Sequence, residues 1–131
     1  MRKMAIILVG KHYAGKSKTI NKYLKPKLSI DEKQHKFEVE NCKGFILSQT
    51  LEERNAFVEN LERYKIYDVL VLPTRPENEP NSLFQAVKEK LKEFGFDIVV
   101  YEIEKDQEKN YYQEKATEIY NQIRSNCKND S

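Results

Sequence analysis

Five apolar residues in a row, Ala5 to Val9, stand near the start of the chain with no polar residue among them. A strand covered on both faces reads this way, as in the middle of a parallel sheet. A glycine-bounded loop, residues 10–15, follows. Beyond it Ile20, Tyr23, Leu24 and Leu28 fall on one helical face, and Pro26 is expected to stop that helix. Residues 36–40 alternate strictly, which predicts an edge strand with one wet face. Asn41-Cys42-Lys43-Gly44 reads as a hairpin turn into the interior strand Phe45-Ile46-Leu47.

The same patterning continues to the end. A second helix is predicted over 51–64, opened by the capping box Thr50 and Glu53, with Phe57, Leu61 and Tyr64 on its buried face. Residues 68–72 read as a buried strand ended by Pro73. A third helix starts near Ser82, buries Phe84, Val87, Leu91 and Phe94, and ends on Gly95. A last strand covers 96–103, and a last helix over 108–125 buries Tyr112, Ala116, Ile119, Tyr120 and Ile123. The order β-α-β-β-α-β-α-β-α predicts an α/β domain in three layers. Its five-stranded sheet is expected to be mostly parallel, with strand 36–40 as an antiparallel edge and the first strand at the centre.

Length and composition narrow the class. One domain over residues 1–131 is expected at this length. Lysine and arginine total 23 against 21 aspartate and glutamate, a net charge of +2 that excludes the strongly basic signature of a dedicated nucleic-acid binder. Mean hydropathy is −0.79, and no apolar run has the length of a signal-peptide core or a membrane span. Cys42 and Cys127 form neither a disulfide framework nor a metal spacing, so two free thiols in a reducing, cytoplasmic compartment are expected.

The chemistry concentrates in Gly10-Lys11-His12-Tyr13-Ala14-Gly15-Lys16-Ser17, a full G-x-x-x-x-G-K-[ST] match between a buried strand and an amphipathic helix. Such a loop curls so that successive N–H groups face phosphate oxygens, and the helix N-terminus adds its dipole. Gly10 and Gly15 permit close backbone approach, Lys16 reaches the β- and γ-phosphates, and Ser17 ligates Mg²⁺. By this motif the chain resembles the P-loop NTPase superfamily. The resemblance implies binding of a purine nucleoside triphosphate with Mg²⁺ along Gly10 to Ser17, usually followed by hydrolysis or transfer of the γ-phosphate.

Beyond those eight residues the pattern thins. No apolar strand ends in the aspartate that such enzymes generally carry. The stand-ins follow the strand 45–47: Gln49, which would orient a water, Glu52, or Glu53, which the capping box also explains. Ser48 and Glu52 lie in the same stretch, and Ser29, Asp31 and Glu32 in the loop after the first helix read as solvated polar positions. Lys18 stands one residue past the motif, and Arg75 near a strand end where α/β sheets bind ligands. No arginine-rich lid is present, and neither late strand end carries N-K-x-D. The expectation is an ATP- and Mg²⁺-binding protein with slow hydrolysis or hydrolysis stimulated by a protein partner. A phosphotransferase and a non-catalytic nucleotide-dependent switch are the alternatives.

Overall fold

The computed structural model describes residues 2–11, 14–54 and 56–128. Strand β1 (Lys3–Val9) is buried throughout its centre. Met4, Ile6 and Leu8 face one core and Ala5 and Ile7 the other, which is why the run carries no polar alternation. The remaining strands are β2 (Lys36–Val39), β3 (Cys42–Ile46), β4 (Val69–Thr74) and β5 (Phe96–Glu102). They form one mixed sheet in the order β2-β3-β4-β1-β5. β1 runs parallel to β4 and β5, and β3 parallel to β4; only β2 and β3 pair antiparallel.

The first strand is therefore not central. After β1 the chain crosses to the far edge, returns through β3 and β4, and only then places β5 on the other side. β4 takes the centre, and all six of its residues are buried. The hairpin also differs from expectation. Val39 pairs with Cys42, so the turn is Glu40-Asn41, and Gly44 lies within β3 opposite Phe37. The Phe37 ring occupies the space over Gly44 that a side chain there would need.

Helices cover both faces. On one lie residues 16–27 and α5 (Lys109–Lys128), which bury Ile20, Tyr23 and Leu24 with Tyr112, Ala116, Ile119 and Ile123. The first helical stretch divides into α1 (Lys16–Lys18), a π-helical segment Thr19–Leu24, and α2 (Lys25–Lys27). Pro26 does not stop it. The Lys25 N–H reaches back five residues to Ile20, and this widened turn accommodates the proline ring one residue later.

On the other face lie α3 (Leu51–Arg54), a 3-10 helix Val58–Tyr64 and α4 (Phe84–Glu93). The single helix expected over 51–64 is interrupted. Phe57 is extended (φ −90°, ψ 149°) and caps the 3-10 helix. Leu61 and Tyr64 are buried as their spacing indicates, but Phe57 is 73% exposed. α4 begins at Phe84, and Gly95 follows it at φ 91°.

The cysteines are the largest correction. Cys42 and Cys127 are joined by a disulfide, with Cα atoms 5.7 Å apart across 85 residues of sequence. It ties the start of β3 to the last turn of α5. The pairing also removes the inference of a reducing compartment, which rested on free thiols. Among the described residues, no helix is long and apolar enough to cross a membrane.

Candidate functional site

The helices that follow β1 and β5 lie on one face, and those that follow β3 and β4 on the other. β1 and β4 are neighbours, so their outgoing connections part at the carboxyl ends of the strands. Open α/β sheets bind ligands in this crevice. The loop after β1 enters it at once, with the Gly10 N–H donating to the Thr74 carbonyl at 3.3 Å.

Two glycines shape the loop for different reasons. A Cβ on Gly10 would stand 2.7 Å from the Ile103 carbonyl oxygen, so close approach to the chain just past β5 excludes any side chain. Gly15 has φ +100°, and a Cβ there would also stand 2.5 Å from the Tyr112 ring. Between them Ala14 is buried and donates its N–H to the Lys11 carbonyl at 2.9 Å. Thr19 donates its N–H and its hydroxyl to the Gly15 carbonyl, at 2.9 and 2.8 Å. His12 and Tyr13, both expected to line the nucleotide, lie outside the described residues.

Lys16 is 6% exposed. Its ammonium donates to the Gly10 carbonyl and, at 3.2 Å, to the Thr74 carbonyl. Burial pushes its pKa below the ordinary lysine value, while Glu53, Glu52 and Glu79 partly restore it and Arg75 adds to the fall. Between this lowered folded value and the ordinary unfolded one, the unfolded chain binds more protons. Stability therefore gains with rising pH in that window. Lys16→Met is expected to flatten this part of the pH–stability curve relative to wild type, measured by urea unfolding from pH 7 to 10. An unchanged slope would show that the buried ammonium is not destabilised.

Beside Lys16 opens a cavity of about 390 Å³, lined by residues 14–18 together with Ser48, Thr50, Glu53 and Pro73. Ser17 is exposed, and its hydroxyl accepts from the Asn21 amide at 3.1 Å. Thr50 caps α3 by accepting the Glu53 N–H at 2.9 Å, as the capping box predicts, while Glu53 itself stands at the cavity. Among the described residues no group of three or more His, Cys, Asp or Glu could hold a metal alone. Ser17, Ser48 and Glu53 are the lining residues besides Thr50 with side-chain oxygens. Oxygen donors of this kind are what Mg²⁺ takes, one or two from protein, with phosphate oxygens and water completing its shell.

The other expected residues are distributed as follows. Lys18 lines the same cavity, with its ammonium 5.2 Å from the Tyr112 ring centroid. Gln49 is exposed and is not a lining residue. Lys11 lines a neighbouring cavity of about 300 Å³ with Pro76 and residues 102–105. Arg75 lines neither, although its charge acts on Lys16. Asp31 spends its carboxylate on the N–H groups of Lys33 and Gln34, and Ser29 and Glu32 are exposed.

Three further residues shape the site, and of these only Glu52 is among the sequence candidates. The Tyr112 ring packs under Gly15, while its hydroxyl donates to the Glu104 carbonyl at 2.9 Å and accepts the Gln107 N–H at 3.2 Å. It thus props the loop and anchors the connection between β5 and α5. Glu52 Oε2 accepts the N–H groups of Leu83, at 2.8 Å, and Arg75, at 3.4 Å, tying α3 to the segment between β4 and α4. Thr74, 1% exposed, ends β4 with its hydroxyl buried and unpartnered, as are Glu52 Oε1 and Arg75 Nε. Compared with models of known protein families, with curated proteins and with solved structures, the chain gives no match.

Proposed function

We propose that the chain binds a purine nucleoside triphosphate with Mg²⁺ in the crevice between β1 and β4, as a small P-loop protein. The observation that carries this reading is Lys16. Its buried ammonium sits at the start of a helical stretch, beside an open cavity, and donates to two backbone carbonyls. A phosphate entering that cavity would give the charge an anionic partner and would meet the N–H groups that begin the helix.

Within this reading the chain's own groups divide the work. Ala14 to Lys18 would hold the phosphates, Gly10 would position the Lys16 ammonium, and Ser17 with Glu53 would present oxygens to Mg²⁺. The metal would supply charge neutralisation at the phosphates. ATP is favoured over GTP because Pro73-Thr74-Arg75-Pro76 and Glu104-Lys105-Asp106 lack N-K-x-D. Turnover is slow or partner-stimulated, because Gln49 stands outside the cavity and Glu53 is the acidic group on its wall. Use as a switch is favoured by Glu52. A shift of α3 toward the metal would also move the segment between β4 and α4 that Glu52 holds.

The test is the thermal shift with ATP, ADP, GTP and inorganic phosphate, each with and without Mg²⁺, on wild type and Lys16→Ala. A ligand at a hundred times its Kd adds about 2.7 kcal/mol of stability. The expected result is a Mg²⁺-dependent shift with ATP that Lys16→Ala abolishes. A shift of equal size in the variant would overturn the reading.

A further inference from the structure

We propose that the groove between the 3-10 helix and α4 is a docking site for a basic amphipathic helix of a partner protein. Phe57 is the key residue. Helical periodicity assigns it to the core, yet the break before Val58 turns it outward, 73% exposed, at the edge of this groove. The groove has a volume of about 370 Å³, with Leu83 and Ala86 in its apolar lining. Its lining also includes Glu59, Glu89 and Glu93 against Lys90, whose ammonium lies 3.2 Å from the Glu93 carboxylate.

The chemistry of the occupant follows from that arrangement. An apolar face is needed to cover Phe57 and the lining, and cations are needed to meet Glu59 and Glu89, which Lys90 leaves unbalanced. The groove is acidic although the chain as a whole carries +2, so complementarity selects a basic partner. Its wall is also fixed in advance. The Leu83 N–H is held by Glu52, and the Ala56 N–H donates to the Leu51 carbonyl at 3.0 Å.

The probe is a fluorescein-labelled helical peptide with leucines on one face and lysines on the other, titrated with the full chain and followed by anisotropy. Wild type is expected to bind it at least about tenfold more tightly than Phe57→Ser does, and than the double variant Glu89→Lys, Glu93→Lys does. Ile66→Ser, which truncates an apolar side chain 78% exposed outside the groove, is expected to bind like wild type. All three changes fall on surface side chains, and equal melting temperatures verify the fold. Equal peptide affinity in wild type and Phe57→Ser would overturn the proposal. So would equal binding of a leucine–glutamate peptide. Concentration-dependent dimerisation that Phe57→Ser abolishes would also overturn it, because the occupant would then be a second copy.

Discussion

Breaking the Cys42–Cys127 bridge is expected to lower the free energy of unfolding by about 4 to 5 kcal/mol, the chain-entropy value for a closed loop of this length. The size follows from the span. Unfolded chains with and without the link differ most when the closed loop is long, and here it covers 85 residues. Both cysteines are buried, so the comparison is best made with Cys42→Ala, Cys127→Ala, which places no hydroxyl in the core. Urea unfolding of this double variant should match wild type unfolded in reductant, and both should fall well below the oxidised protein. A difference under about 1 kcal/mol would mean that the unfolded ensemble is already restrained without the bridge.

The second large effect is expected at Gly15. Gly15→Ala places a Cβ at φ +100°, where an L residue is strained, and drives it to 2.5 Å from the Tyr112 ring. The backbone part costs about 1 to 3 kcal/mol. Displacing a buried ring that also anchors Glu104 and Gln107 adds to it. The two parts separate in a double-mutant cycle. Tyr112→Leu should recover the steric part of the loss in Gly15→Ala and leave the backbone part, giving a non-additive pair. Strict additivity in thermal unfolding would show that the ring and the loop are not in contact.

Much of the fold is legible in the residues because burial on two faces leaves a plain record. Ala5 to Val9 and Val69 to Leu72 are unbroken apolar runs, and both are interior strands. Sheet order is less visible. Both runs satisfy the same requirement, so nothing in them says that β4 rather than β1 takes the centre. Phe57 misleads because a three-to-four-residue period records only which positions would meet if the helix continued, and Phe57 is extended instead.

At the candidate site Gly10 and Gly15 are readable as positions that cannot carry a side chain, although what excludes it, the Ile103 carbonyl and the Tyr112 ring, is not. Tyr112 and Thr74 reach the loop from distant elements, and no spacing connects them to it. The disulfide is hidden for the same reason: two cysteines 85 residues apart meet only because α5 lies across the hairpin of β2 and β3.

That bridge also decides how the molecule would answer a pull. A tension applied ahead of Cys42 and beyond Cys127 passes from one sulfur to the other. The segment between them, with β4, α4, β5 and most of α5, is bypassed. The load falls on the part before Cys42. There β1 is gripped between two parallel neighbours and must be sheared out of both ladders together. Oxidised, the chain would extend only over the part before Cys42, which carries β1, its glycine loop and β2, and the closed loop would stay short even once the sheet has come apart; reduced, it would extend along its whole length.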